Sequence, residues 1–510
     1  MINRRKFLQT SSLLSLATFA RPSFALPKKT MYINNTDVAI IGSGPAGLSL
    51  ANQLSQSGIK VLVIESGPLN GYSERAQKRN KVLDAGYGLP YTLGVATKRM
   101  TGGTSNAWGG VCPRFQADDL LCKSKFDYAA DWPITYQELD HYYCKAERFL
   151  QVFNPTKQCS PFKLTDGSVN LAQKLRTHGF KDTAAASVTV NSDGDFQALR
   201  LKHSHLPSLL KNKNFSLITN VTARSFNIDT SGNVKSVLGN DDEGNVVKIN
   251  CKTVVICAGA IQSARLLMLL NNQRSDFSFG ADGGHLGANF MDHPAVKMTM
   301  FENPSNEMHS KHKPLPPAKF GQAHIWQWYG HYRKQGVGAY LPYVVQNSES
   351  NKDSLSKDIK SDDLAKGKIL QFSILCEQEP LRENRFELTN KETDEFGDPL
   401  PMLWYKPSDF DKRTYQHAIT NMQQFLEKSQ SLKAAQKIDV HLGRHHLMGT
   451  TKMAQKDKDG VVDKNLKVFG SNNLYILGGS VFPSGGAANP TLTIVALAIR
   501  LAKHLIQTRV

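Results

Sequence analysis

Asp37-Val38-Ala39-Ile40-Ile41-Gly42-Ser43-Gly44-Pro45-Ala46-Gly47-Leu48 decides the fold. The apolar stretch Asp37 to Ile41 predicts a short strand, which enters a Gly-x-Gly-x-x-Gly turn and then a helix through Leu48, Ala51 and Leu54 that Gly58 closes. Lys60 to Ile64 is the next strand, and it ends in Glu65. In this order each glycine has its own role. Gly42 makes the tight turn, Gly44 leaves the backbone bare where a pyrophosphate approaches, and Gly47 lets the helix pack closely on the sheet. Glu65 stands where a carboxylate accepts ribose hydroxyls. A glycine-rich turn in an unliganded α/β fold would share the glycines. Strand, turn, helix and acid in register point instead to a bound dinucleotide.

Further along, Thr253 to Cys257 before Ala258-Gly259-Ala260, and Leu474 to Leu477 before Gly478-Gly479, look like later strands of the same sheet. The expected fold class is therefore α/β, a Rossmann-type nucleotide domain in three pieces (34–115, 212–296 and 441–510) with an α+β substrate domain (116–211 and 297–440). Within the second domain, Gln322 to Tyr329, Ala339 to Gln346, Ile369 to Glu377 and Arg385 to Thr389 are β-like runs that suit an antiparallel sheet. The polar stretch Ser348 to Lys368 reads as an exposed excursion. Trp326, Trp328, Tyr329 and Tyr332 either line a pocket or pack in a core, and alternation along a strand favours the core. No internal repeat is found.

A chain of 510 residues with 40% hydrophobic content builds two or three packing units and can bury a large cofactor. Its first 25 residues read as a twin-arginine export signal: Arg4-Arg5-Lys6 precede a modest apolar run, Leu8 to Ala20, which ends in Ser23-Phe24-Ala25. Their removal takes Arg4, Arg5, Lys6 and Arg21 from the formal charge of +18 and leaves +14, with dispersed lysines. Solubility is the first reading of that surface; an anionic substrate, an acidic electron carrier or a peripheral membrane face would also suit it, and nucleic acid is not indicated. The cysteines (Cys112, Cys122, Cys144, Cys159, Cys251, Cys257, Cys376) form no CxxC pair, so no metal or iron–sulfur site is expected. Some of the first four have the option of pairing in an oxidising compartment, and Cys257 lies in an apolar run as a buried small hydrophobe.

The spaced motifs resemble the glucose-methanol-choline oxidoreductase family over nearly the whole mature chain. They are the nucleotide turn with Glu65, Gly102-Gly103-Thr104-Ser105-Asn106-Ala107-Trp108-Gly109-Gly110, Ala258 to Leu267, Leu286-Gly287-Ala288-Asn289-Phe290-Met291-Asp292-His293-Pro294, and two C-terminal blocks. The resemblance implies bound FAD and a substrate-domain sheet that faces the flavin ring. It places Gly102, Gly103, Thr104, Ser105, Asn106, Val221, Ala258, Gly259, Gly479, Ser480, Asn489 and Thr491 at the cofactor, together with Gly42, Gly44, Gly47 and Glu65. The Gly102 to Gly110 loop would let backbone lie against an aromatic ring system, an ordinary flexible loop being the alternative. Relatives with covalent flavin carry a histidine in this loop, where Ala107 stands here, so the expected FAD is non-covalent. A cysteine-rich insertion seen in one branch has no counterpart in 179–217, which leaves electrons to pass directly to an external acceptor.

The first C-terminal block, Arg444-His445-His446-Leu447-Met448-Gly449, aligns His446 with the family's active-site histidine, while His445 is expected to pack or hydrogen-bond. An imidazole there suits the removal of a hydroxyl proton at near-neutral pH. In the second block, Gly478-Gly479-Ser480 to Asn489-Pro490-Thr491, Asn489 has competing roles: N-cap of the helix from Leu492 to Ile506, or second polar partner of the substrate hydroxyl. That helix's N-terminus would favour negative charge on the reduced flavin. Many relatives have an acid where Gly478-Gly479 stands, so the hold on the ribityl chain differs here. The resemblance implies hydride transfer from the alcohol carbon of a small alcohol, sugar or polyol to flavin N5, with quinone, cytochrome or oxygen as acceptor, and a dehydrogenase more than an oxidase. A hydroxynitrile lyase with non-redox FAD, or a non-catalytic flavoprotein, are the alternatives. The expected location is the periplasm or beyond.

Overall fold

The computed structural model describes residues 29–86, 93, 97–155, 159–164, 167–274, 276–302, 320–347, 369–429 and 432–509. The segments 1–25 and 348–368, expected to be an export signal and an exposed excursion, lie outside the described residues.

Residues Val38 to Ile41 are buried and mostly apolar, as befits a strand covered on both faces of a parallel sheet. They form the end of the strand Thr30–Ile41, which pairs in parallel with Val61–Ile64 on one side and Val246–Ile256 on the other. The strand is longer than the apolar run because Thr30 to Ile33 also pair with Val246 to Ile249, beyond the polar residues Asn34 to Thr36 that interrupt the apolar pattern. Phe215–Ile218 and Leu474–Ile476 extend the parallel set, and the antiparallel strands Val234–Asp241 and Val221–Ile228 complete a seven-stranded sheet. The Leu474 strand joins directly beside Val246–Ile256, so distant stretches of the chain do build one nucleotide-type sheet.

Helix Pro45–Gln56 buries Leu48, Leu50, Ala51 and Leu54 on this sheet, and the apolar helix Thr491–Gln507 packs against it. Helix Tyr136–Phe149 joins the same core through Leu139, Tyr143 and Ala146. The segment 116–211 is therefore shared: its first part packs on the nucleotide sheet, whereas Thr183–Ala185 is an edge strand of the substrate sheet. Burial of an amphipathic helix face, which sequence position does not reveal, sets that division.

The substrate sheet has six antiparallel strands in the order Leu432–His441, Ala295–Glu302, Ile369–Cys376, Tyr340–Asn347, Phe320–Ile325 and Thr183–Ala185. One face buries Ala323, Val344, Phe372 and Ile374 against helices Ser168–Thr177 and Asp409–Ser429. Arg385 to Thr389 does not join it. That run belongs to the strand Arg385–Thr393, which pairs with Pro399–Trp404 in a separate sheet, because the turn between them closes a local hairpin. Strand Phe320–Ile325 also stops before the aromatic run: Trp326 follows its end, and Trp328 and Tyr329 lie on a turn. Trp328 and Tyr332 pack on the substrate-sheet core, and Trp326 and Tyr329 on a cluster with Ala339, Leu341 and Ala487.

Cys144 and Cys159 are disulfide-bonded, while Cys112, Cys122, Cys251, Cys257 and Cys376 are free thiols, Cys257 being buried. Among the described residues no helix is long and apolar enough to cross a membrane.

Candidate active site

The C-terminal ends of the parallel strands open onto a cavity of about 750 Å³, where ligands of open α/β sheets are bound. Gly42 turns the chain there with φ +105°, and a Cβ on it would lie 2.5 Å from the Cys257 carbonyl oxygen. A Cβ on Gly47 would run into the Gly42 carbonyl oxygen, so this glycine seats the helix on the turn. Gly44 differs: a Cβ on it would meet no protein atom within 4 Å and would project into open space. Gly103 backs onto it, a Cβ there lying 2.8 Å from the Gly44 Cα. Two stretches of bare backbone thus meet at the cavity wall beside the unbonded first-turn amides of helix Pro45–Gln56.

Glu65 lines the same cavity and is buried, but its carboxylate already accepts from Ser43 N at 3.1 Å, Ser43 Oγ at 2.6 Å and Gly67 N at 2.9 Å. Burial pushes its pKa up, against those hydrogen bonds and the Arg99 charge. Arg99 also lines the cavity; burial lowers its pKa to about 10, which keeps it cationic at neutral pH. Bare backbone, helix amides, a cation and a carboxylate in one cavity fit a dinucleotide such as FAD.

Gly42, Gly44, Glu65, Gly103, Thr104, Val221, Ala258, Gly259, Gly479, Asn489, Thr491 and His446 line the cavity, and so does Ala107. Gly47, Gly102, Ser105, Asn106 and Ser480 do not line it. Their groups hold the loops instead. Ser105 Oγ donates to the Gly102 carbonyl at 2.7 Å, Asn106 Nδ2 to the carbonyls of Thr101 and Gly103 at 2.9 and 2.8 Å, and Gly102 N to Ser43 Oγ at 3.1 Å. Ser480 is fully buried and its carbonyl accepts from Thr451 N at 2.8 Å.

In the same cavity, His446 Nε2 lies 3.1 Å from Asn489 Nδ2, and His446 Nδ1 lies 2.9 Å from His293 Nδ1. The protonation pattern follows from donor chemistry. An amide nitrogen only donates, so His446 Nε2 accepts and carries no proton. Neutral His446 then has its proton on Nδ1 and donates it to His293 Nδ1. His293 keeps its own proton on Nε2, 3.4 Å from the Gly485 carbonyl oxygen. Burial lowers the pKa of both rings, that of His293 to about 4, and the charges of His293, Arg444 and His445 lower His446 further. A basic, uncharged Nε2 therefore faces the cavity.

Asn489 is not the N-cap. Helix Thr491–Gln507 is capped at Pro490 with no side-chain hydrogen bond, and the Asn489 amide goes to His446. The backbone around His446 is held by buried Asp292, whose carboxylate accepts from the amides of His293, Arg444, His445 and His446 at 2.6, 3.1, 3.0 and 2.8 Å. Burial raises the Asp292 pKa to about 6 against those bonds. His445 adopts φ +66°, a conformation costly for a residue with a Cβ, and Asp292 spans that kink. His293 and Asp292 belong to a motif to which sequence reasoning attached no role; the adjacent Asp-His pair before Pro294 was the available signal.

The loop before Asn489 is shaped by a buried ion cluster. Arg333 bridges Asp119 and Glu377, each at most 1% exposed. The Tyr329 hydroxyl donates to Asp119 Oδ2 at 2.7 Å and accepts from Ala487 N at 3.2 Å, and Ser484 Oγ donates to the Asp119 carbonyl at 2.6 Å. Removing one partner of such a cluster costs about 3–5 kcal/mol.

Comparison with known proteins matches the family description GMC oxidoreductase to residues 99–295 and 380–498, and FAD binding domain to residues 35–82. The chain is similar to the fructose dehydrogenase large subunit of Gluconobacter japonicus (22% identical; 92% of this chain and 98% of the relative). It is also similar to the paromamine 6'-oxidase of Streptomyces fradiae (26% identical; 92% and 90%). Among solved structures, a formate oxidase of Aspergillus oryzae RIB40 superposes with TM-score 0.64 at 16% identity (94% of this chain and 99% of the other). A pyridoxine 4-oxidase from Mesorbium loti does so with TM-score 0.59 at 17% identity (92% and 99%).

Proposed function

This chain belongs to the GMC oxidoreductase family, and from that membership we propose that it is a dehydrogenase that oxidises the carbinol group of a small alcohol, sugars and polyols included, and passes the electrons to an external acceptor. The observation that carries the reading is the unprotonated His446 Nε2, held beside the Asn489 amide and backed by His293. The substrate hydroxyl enters between Asn489 and His446. Its oxygen accepts from the Asn489 amide, and its proton passes to His446 Nε2 as the C–H bond breaks to leave a carbonyl. Bound FAD supplies the hydride acceptor. The positive charge gained by His446 is shared through its Nδ1–H with His293, and Asp292 keeps both backbones in place.

FAD-loaded protein mixed anaerobically with sugars, polyols, aromatic alcohols and sterols should bleach with at least one class. Silence with every class would sink the reading. Reoxidation of the bleached protein by quinone or dye should outrun reoxidation by air, and the reverse would make it an oxidase. Ala107 at the cavity wall supports non-covalent FAD, which acid precipitation of the protein should release into solution. The dehydrogenase relative, and a basic surface able to steer an acidic carrier, support an acceptor other than oxygen.

We also propose export in the folded state. Arg4 and Arg5 support it, and so does the Cys144–Cys159 bond, since such bonds persist in oxidising compartments. Mass spectrometry of the periplasmic fraction should find a chain beginning at Leu26 with that pair oxidised; full-length protein confined to the cytoplasm would refute this.

A further inference from the structure

One face of the substrate sheet is used up by core packing, and strand alternation sends the other toward the cavity. Gln322, Tyr343, Val345, Ser373 and Leu375 all line it. Tyr343 and Ser373 sit directly opposite each other across paired strands, and Gln322 is diagonal to Tyr343, opposite Val345. The polar groups of these residues are therefore neighbours.

Their hydrogen bonding is incomplete. The Tyr343 hydroxyl donates to Gln322 Oε1, which leaves the amide nitrogen as the group still to be paired. Gln322 is 0% exposed, yet its Nε2 has no partner among the described residues. Ser373 Oγ is buried and equally unpartnered. Buried donors are rarely left unpaired without a reason, and these belong to the wall of the same cavity that His446 and Asn489 line. Val345 and Leu375 flank them with apolar surface. Donors framed by apolar contacts suit a molecule with oxygen acceptors along a carbon skeleton.

We propose that Gln322 and Ser373, with Tyr343 orienting the amide, bind a second oxygen of the substrate, so that the enzyme selects polyhydroxylated alcohols over monohydric ones. This rests on the alcohol-oxidation reading and adds the residues that choose the substrate. A site built to hydrogen-bond a substrate oxygen discriminates strongly against analogues that lack it, because its own donors then stay buried and unpaired.

The test uses full-length, FAD-loaded protein in wild-type, Gln322→Leu and Ser373→Ala forms, with flavin content and melting temperature as controls. Gln322→Leu is close in volume, and Ser373→Ala removes one atom, so at least one variant should fold. Anaerobic flavin reduction is timed with D-glucose, D-sorbitol and glycerol, and with benzyl alcohol and 1-butanol. Binding is read separately in a His446→Ala background, where turnover is slowed, from the perturbation of the flavin spectrum by D-sorbitol and D-glucose. The wild type should favour the polyols, and each variant should lower that preference and weaken polyol binding by about tenfold to a hundredfold, with a smaller change in the monohydric rates. Equal or faster reduction by the monohydric alcohols, or variants that leave both the preference and the binding unaltered, would overturn the recognition face while alcohol oxidation stands. Polyol binding that weakens in the variants while no alcohol bleaches the flavin would uphold the face and defeat the oxidation. Absence of both bleaching and binding would defeat both.

Discussion

Replacing His446 by alanine should slow anaerobic flavin reduction by about two to four orders of magnitude, the usual worth of a positioned general base, while FAD stays bound. The backbone amide of residue 446 still donates to Asp292, so the loop keeps its anchor. Asn489 remains, but nothing accepts the hydroxyl proton. Stopped-flow reduction, with flavin content measured on the same sample, checks this; a loss below tenfold would move the base elsewhere. In the wild type, kcat/KM should hold steady as pH falls through 6.5, because burial lowers the His446 pKa and keeps the ring uncharged there. The same shifts act on stability. Between 6.5 and the depressed folded values, about 4 for His293, the unfolded chain binds more protons than the native one. Stability is therefore lost as pH falls through that window.

Gly44→Val should abolish FAD binding and leave the apo fold intact. The residue has φ −70° and ψ −173°, a conformation any amino acid adopts, and a Cβ there meets no protein atom within 4 Å. The added side chain fills space that only a ligand would contest. Melting of the apo variant should match apo wild type, and FAD should raise the melting temperature of the wild type alone. Gly47→Val is the contrast: its Cβ meets the Gly42 carbonyl, so that change should lower the melting temperature with or without FAD. A yellow, FAD-loaded Gly44→Val protein would place the pyrophosphate elsewhere.

Legibility of this chain follows the range of the interactions involved. The turn from Gly42 to Gly47 is compact in sequence, and hydropathy with spacing suffices to read it, even though Gly42 itself answers to the distant Cys257 carbonyl. His446 was reachable because its motif is compact. His293 was not, since its importance lies in a contact with a ring 153 residues distant, and an Asp-His-Pro sequence alone suits many turns. Gln322 and Ser373 were hidden for another reason: a polar residue inside an apolar strand looks alike whether its face meets solvent, core or cavity. Asn489 shows a competition that only geometry resolves, because cap and site chemistry ask for the same amide. Ser105 and Asn106 show the converse, as residues of a binding motif whose side chains brace the loop rather than touch the cavity.

The Arg333 cluster gives the chain an order of completion. Arg333 lies 214 residues after Asp119, and Ser484, in the loop that leads to Asn489, lies 365 residues after it. Contacts at such separations form only after the loops between them have closed, so this corner of the molecule is among the slow events of folding. A nascent chain will have its nucleotide turn and much of its first sheet before it has any means of taking a proton from an alcohol. The partner of His446 arrives after these segments, onto a seat they have already prepared, and a chain that stops short of Asn489 retains the motif that announces the fold but lacks the pair that handles the hydroxyl.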